Sequence, residues 1–245
     1  MSLLKNLTSD ESIANEKDSL GGGGALDSNV YPAEVKLAYV TQSTGGAVGL
    51  VTHFQTDQGR EIRETFWMTS GTEKGGKNYY EKDGEKHYLP GYINATALGL
   101  LTVGKEVSEL ETETKVVKLY SSEAKAEVPT KVDVAVELLG QKVLLGVIKE
   151  VTNKTVKDDA GKYVPIAETR EQNTIDKVFR ATDKMTTAEI RAGAEEATFH
   201  DNWVKKWAGQ VKDRTNKALG TAGAPKSSFG AAANQTSKPK TSLFA

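Results

Sequence analysis

"VYPAEVKLAYVTQSTGGAVGLVTHFQTDQGREIRETFWM", residues 30–68, holds three apolar runs separated by two turn-forming clusters. Val35, Leu37 and Tyr39 recur at every second position of the first run, and Val48, Leu50, Thr52 and Phe54 do so in the second. A period of two marks a strand with one buried face. "STGG" (43–46) and "DQGR" (57–60) supply the glycine and polar side chains that tight turns need. In the third run Ile62, Glu64 and Phe66 alternate with Arg63, Thr65 and Trp67, so the stretch predicts an antiparallel meander of three strands. Neighbours on a strand point to opposite faces, so only one of Phe66 and Trp67 can face a ligand groove. Trp67 is the better choice, because it shares parity with Arg63 while Phe66 shares it with Ile62.

Working outward, "INATALGLLTVG" (93–104) predicts a short helix, with Asn94 as N-cap and Gly104 as terminator. Acid collects in "KEVSELETETK" (105–115), and this piece and "KVVKLYSSEAKAEVP" (115–129) fit either a helix or irregular structure. "TKVDVAVELLGQKVLLGVIKEVTNK" (130–154) reads as a hairpin, with Val132, Val134 and Val136 alternating before a turn at "LGQK" and a β-branched run after it. "NTIDKVFRATD" (173–183) predicts a last short strand, reached through the loop "KDDAGKYVPIAETREQ". Three meander strands, a helix and a hairpin follow the element order of an OB-fold. The expected fold is therefore β-rich α+β, a five-stranded OB-fold-like barrel with its helix between strands 3 and 4.

Outside this domain, assigned to residues 29–185, the pattern changes. Thr186 and Glu189 form a capping-box pair, and Phe199, Trp203, Trp207 and Val211 repeat every four residues, which predicts a helical segment over 186–219. The two tryptophans at this spacing are most simply a stripe docking the helix. Residues 1–28 are polar and end in "LGGGGALDS", a flexible arm; residues 220–245 are rich in Ala, Ser, Gly, Pro and Lys, a disordered tail whose end, "TSLFA", carries Leu243 and Phe244.

Composition narrows the chemistry. The chain of 245 residues has no cysteine, which removes disulfides, thiolate metal sites and thiol nucleophiles. No apolar run reaches the ~18 residues of a bilayer span, and the first residues lack a secretory h-region, so a cytoplasmic address and no membrane partner are expected. The formal net charge is −1, so affinity for a polyanion must come from where charges sit.

"GGKNYYEKDGEKHYLPGY" (75–92) is where they sit with rings. Its glycines and Pro90 argue against helix, and it reads as a long excursion between ordered elements. Single-stranded nucleic acid is held by aromatic faces stacked on bases and by Lys or Arg along the phosphates. The candidate stackers are Trp67, Tyr79, Tyr80 and Tyr88. The candidate backbone contacts are Arg60, Arg63, Lys74, Lys77, Lys82, Lys86 and Arg180. Each has a plainer alternative: a strand tryptophan packs in a core, tyrosines pin loops, and lysines interleaved with Glu73, Glu81, Asp83 and Glu85 line a solvated hairpin tip.

An enzyme is disfavoured, since His53, His87 and His200 are scattered and no HExxH, GxSxG or phosphate-loop motif occurs. Asp133 and Glu137 are better read as the solvated face of a strand than as metal ligands. No cofactor and no metal site is expected. The remaining rival is a virion or adaptor protein using the β domain as scaffold and the tail or tryptophan helix as interface.

With these residues in view, the chain resembles the single-stranded DNA-binding proteins of tailed bacteriophages. The resemblance lies in "MSLLKNLTSDESI", "TFWMTSGTEKGGKNYYEKDGEKHYLPGY", "DKMTTAEIRA" and the terminal "TSLFA". It implies an OB-fold, non-specific coating of single strands during phage replication or recombination in the host cytoplasm, and a C-terminal tail that meets replication or recombination partners. One departure stands out. Many such tails are acidic, and their charge competes with DNA; here residues 221–245 contain Lys226, Lys238 and Lys240 and no acid. The tail is therefore suited to docking Leu243 and Phe244 in an apolar pocket of a partner, or to weak phosphate contacts.

Overall fold

The computed structural model describes residues 24–159 and 161–219. The N-terminal arm up to residue 23 and the tail with Leu243 and Phe244 lie outside the described residues. The described residues divide into two compact units, the larger holding 24–151 together with Glu171–Asp213.

The expected meander is present. Strands β1 (Asn29–Gln42), β2 (Val48–Thr56) and β3 (Glu61–Trp67) pair antiparallel in order. Leu50, Thr52, Phe54, Ile62 and Phe66 face the core, as their alternation requires. The first strand departs from a simple period. A bulge between Val35 and Leu37 shifts the register, so Val35 and Ala38 are buried while Leu37 and Tyr39 fall on the opposite face. The bulge is held from the side: Val35 donates its N–H to the Gln141 carbonyl at 2.9 Å, and Gly140 returns a bond to the Val35 carbonyl at 2.9 Å.

Beyond β3 the expected barrel gives way to a different architecture. A small hairpin, β4 (Tyr79–Lys82) and β5 (Glu85–Tyr88), forms a separate two-stranded sheet. Helix α1 (Pro90–Thr102) follows, then β6 (Thr112–Ser121), β7 (Ala126–Ala135), β8 (Lys142–Lys157) and β9 (Tyr163–Arg180). After two short helices, α2 (Thr187–Arg191) and α3 (Phe199–Trp207), β10 (Val211–Asp213) adds in parallel to β8. The large sheet has eight strands and does not close into a five-stranded barrel.

The sheet stays open between β3 and β9, which pair only with β2 and β8 respectively, and β1 serves two partners along its other edge. Residues 29–34 pair with β8, and Tyr39 and Val40 pair with β7. The expected hairpin at 130–154 is therefore absent as a pair. Val136–Leu138 turns as a 3-10 segment, and β7 and β8 each join β1. The undecided stretch 105–129 becomes most of the β6–β7 hairpin, whose Val116 and Tyr120 are exposed. The segment read as a loop at 157–172 is largely strand, since β8 and β9 continue as a long pair.

Helix α1 starts four residues before the expected N-cap. Pro90 opens it with a fixed φ and no N–H to waste, and Leu89 stands as N-cap. It ends as expected at Gly104, whose φ of +73° lets its N–H reach the Gly99 carbonyl. Asn94 is buried, and Ala95, Leu98 and Leu101 join Phe54, Phe66, Leu145 and Ile175 in one core.

The capping box forms as read, with Glu189 N–H donating to Thr186 Oγ1 at 3.2 Å and Thr186 N–H to Glu189 Oε2 at 2.9 Å. The long helix does not. Gly193 and Gly209, both at positive φ, end α2 and α3, and Val211 lies on a strand. Trp203 is buried edge-on to Phe179 and donates Nε1–H to Asp176 Oδ2 at 2.8 Å, a docking role. The smaller unit comprises, among the described residues, 152–170 and 214–219. In it Asn153 donates to the Ile166 carbonyl, and Lys157 lies over the Tyr163 ring.

Candidate nucleic-acid interface

The stretch read as an excursion is an ordered wall. Asp83 and Gly84 both have positive φ, at 53° and 81°, which is the two-residue turn that matches strand twist. The pair register sets Tyr79 opposite Tyr88 on one face and Tyr80 opposite His87 on the other. The hairpin is held at its base, where Leu89 N–H bonds the Asn78 carbonyl at 2.9 Å and Ser70 N–H bonds the Lys77 carbonyl at 2.8 Å. A 3-10 turn, Thr72–Lys74, is tied back to the β1–β2 turn by Thr72 N–H to the Gly45 carbonyl.

Between this hairpin, β3 and the start of α1 lies a cleft of about 740 Å³. Trp67, Tyr79 and Tyr80 line it together with Lys74 and Lys77; Phe66, Leu89, Pro90 and Ile175 make it mostly apolar. Trp67 is 43% exposed against 3% for Phe66, as parity requires, yet both residues line the cleft, against the expectation that only one would face it. Its ring lies over Gly49, its cross-strand partner, where an added Cβ would come within 2.9 Å of Trp67 Cε3. Tyr80 is 45% exposed and tilted against His87. Tyr79 carries the ammonium groups of Lys77 and Lys86 over its ring at 5.4 and 5.0 Å. Leu89, Pro90 and Gly91 place the N-terminal end of α1 at the cleft, and no side chain caps it. The positive end of the helix dipole favours an anion there.

Polar groups meet at the cleft's inner side. Ile175 donates its N–H to Glu64 Oε2 at 3.2 Å, and its carbonyl accepts from Asn94 Nδ2 at 3.1 Å, so one residue ties β9 to β3 and α1. Thr65 N–H also donates to Glu64 Oε1 at 3.2 Å. Burial pushes the Glu64 carboxyl above the usual carboxylate range, and the Glu150 carboxylate adds to this; the two backbone N–H bonds oppose it. A carboxyl whose folded pKa is raised stabilises the fold while it holds its proton, and that contribution is lost as pH rises through the raised value. Glu64→Gln is therefore expected to gain in melting temperature relative to the parent as pH rises above the ordinary carboxylate range. Parallel thermal melts check this, and a gap that stays constant with pH would contradict the buried-carboxyl reading.

The remaining candidates are dispersed. Tyr88, 56% exposed, packs against Tyr92 at 4.9 Å on the Tyr79 side of the hairpin. Lys82 and Lys86 sit on the hairpin opposite Glu85 and Glu81. Arg63 faces the other side of β3 and is held by Glu61, which also bonds His53. Arg60 donates to the Gly24 carbonyl, and Arg180 is clamped by Asp183. None of these three arginines lines the cleft.

Sequence reasoning passed over two groups. Glu64, Asn94 and Thr174 are polar members of the cleft, and Glu64 was visible only as a polar residue at a core-facing position. On the outer face of the sheet, Tyr39, His53 and Tyr120 form a second groove with Arg63 and Trp67. Tyr39 reaches that face only because the bulge changes its parity, a shift without a local sequence signal.

Among the described residues, no helix is long and apolar enough to cross a membrane, and no cluster of three or more acidic or histidine side chains is placed to hold a metal. Asp133 and Glu137, the carboxylates considered earlier, are engaged by Thr114 and Lys105 respectively. Comparison with protein-family models gives no match, and comparison with curated proteins finds no relative.

Proposed function

We propose that the protein binds and coats single-stranded DNA during phage replication or recombination in the cytoplasm of the host. The observation that carries this reading is the convergence of two exposed rings, Trp67 and Tyr80, with Lys74, Lys77 and the uncapped start of α1 around one cleft. Rings accept any base by stacking, while the cations and helix end attract phosphate, and neither requires a base order. The sequence resemblance to phage single-strand binders supports the same reading. The mechanism is equilibrium binding. Protein that holds only the open strand protects it, and melts weak hairpins by mass action. Leu243 and Phe244 are the proposed contact to replication or recombination partners.

The direct test is titration with poly-dT at low and moderate salt, followed by tryptophan fluorescence, with duplex of equal length as control. Trp203 is buried and Trp207 is half-buried away from the cleft, so Trp67 is the exposed reporter placed at it. Saturable quenching is expected on single strands, weakening steeply with salt and much poorer on duplex. Absence of binding to either nucleic acid at low salt would reject the reading and turn attention to a protein partner.

A further inference from the structure

Resting on the single-strand reading, we propose that the cleft takes in one unstacked base of the bound strand and that Glu64 selects a base carrying hydrogen-bond donors on its pairing edge, guanine foremost. A stacking surface alone would be flat, whereas this site is concave, with a volume inside the range of pockets that enclose small ligands. Its walls suit a planar heterocycle: Trp67 and Tyr80 at the exposed side, Phe66, Leu89 and Ile175 within.

Its polar lining is unsuited to a merely indifferent platform. Once the pH is above its raised value the Glu64 carboxyl is ionised, and a carboxylate only accepts, with about four lone-pair sites. Ile175 and Thr65 each supply Glu64 with one backbone N–H, on different oxygens, which leaves capacity on both. Glu64 and Glu81 are the carboxylates lining the cleft, and Glu64 is the one bonded to Ile175, whose carbonyl takes the Asn94 amide N–H. Guanine presents N1–H and the N2 amino group side by side, a match for two carboxylate oxygens. Thymine presents a single N3–H flanked by carbonyls, which a carboxylate repels. Enzymes and binders that hold an extruded base read its pairing edge in this way while rings stack on its faces. Lys74, Lys77 and the start of α1 then lie where the flanking phosphates are needed.

The test uses the full chain and short dT oligomers of one length that differ at a central position: dT, inosine, which lacks the N2 amino group, or dG. A good bidentate pair discriminates by about 1–3 kcal/mol, so the dG oligomer is expected to bind at least ~5-fold more tightly than all-dT, with inosine between. In Glu64→Gln, verified as folded by its melting curve, the preference is expected to fall below about twofold, while all-dT binding strengthens because a negative charge has left the cleft. Free dGMP is expected to compete weakly, for want of flanking phosphates; competition as strong as that of the dG oligomer would make this a mononucleotide site and overturn the strand form of the proposal. Tight all-dT binding by the parent with equal affinity for dG would overturn base selection and leave the coating function standing. Failure of every oligomer to bind at low salt would instead remove the function itself.

Discussion

Trp67→Ala and the pair Tyr79→Ala with Tyr80→Ala should each weaken poly-dT binding by an order of magnitude or more, with little loss of folding stability. A base stacked on an aromatic ring contributes roughly 1–3 kcal/mol, which is about 5- to 150-fold in affinity for each ring that stacks. Trp67 and Tyr80 present large exposed areas at the cleft, so removing them takes away contact surface for a ligand and little core. Trp67 does cover Gly49, and a small loss in melting temperature is expected from uncovering it. Arg60→Ala and Arg180→Ala serve as comparisons. Both side chains have partners in the fold and neither lines the cleft, so their effect should be much smaller. The measurements are salt-controlled titrations alongside thermal melts. A large drop in melting temperature with unaltered affinity would assign the rings to structural support.

Gly91→Ala should cost stability and affinity together. A Cβ built at Gly91 would fall 2.2 Å from the Trp67 carbonyl oxygen and 2.6 Å from its nitrogen, so the first turn of α1 rests directly on the backbone of β3. Both contacted atoms belong to a paired strand and cannot swing aside as a flexible side chain would. Forced overpacking costs typically about 1–3 kcal/mol and occasionally more. For a domain of this size that lowers the melting temperature by roughly 2–12 °C. The first turn of α1 and Trp67 are parts of the cleft, so its shape and its hold on DNA should change as well. Gly24→Ala is the control, since nothing lies within 4 Å of its position. Equal melting temperatures for Gly91→Ala and the parent would show that α1 can lift from β3 without penalty.

The first three strands were legible because each buries one face, and burial forces an alternation that a reader can see. The capping box at Thr186 and the terminator at Gly104 were legible for a similar reason, since each answers a local need of the helix backbone. The hairpin at 79–88 was missed although it carries an Asp-Gly turn, because four-residue strands exposed on both faces show no alternation. The β6–β7 hairpin escaped for a different cause: β6 is exposed along its first half and only Val117 and Leu119 mark a face, so the alternation read in β7 found no visible partner. The helix projected through Val211 failed at Gly209, where a left-handed residue lets the chain turn back to β8.

By itself, then, the sequence determined the strand meander, the outward aim of Trp67, and the gathering of rings and lysines in one segment. These follow from side-chain chemistry and from the geometry of residues a few positions apart. The tertiary structure alone decided that β1 is shared between β7 and β8 and that β3 and β9 do not pair, so that the sheet does not close as a barrel. It also brought Glu64, Asn94 and Ile175 to one point and left Arg60 and Arg180 elsewhere. Strand partners separated by a hundred residues are chosen by competition among all available edges and by the packing of the whole core. That choice has no local signature, and the polar lining of the cleft depends on it.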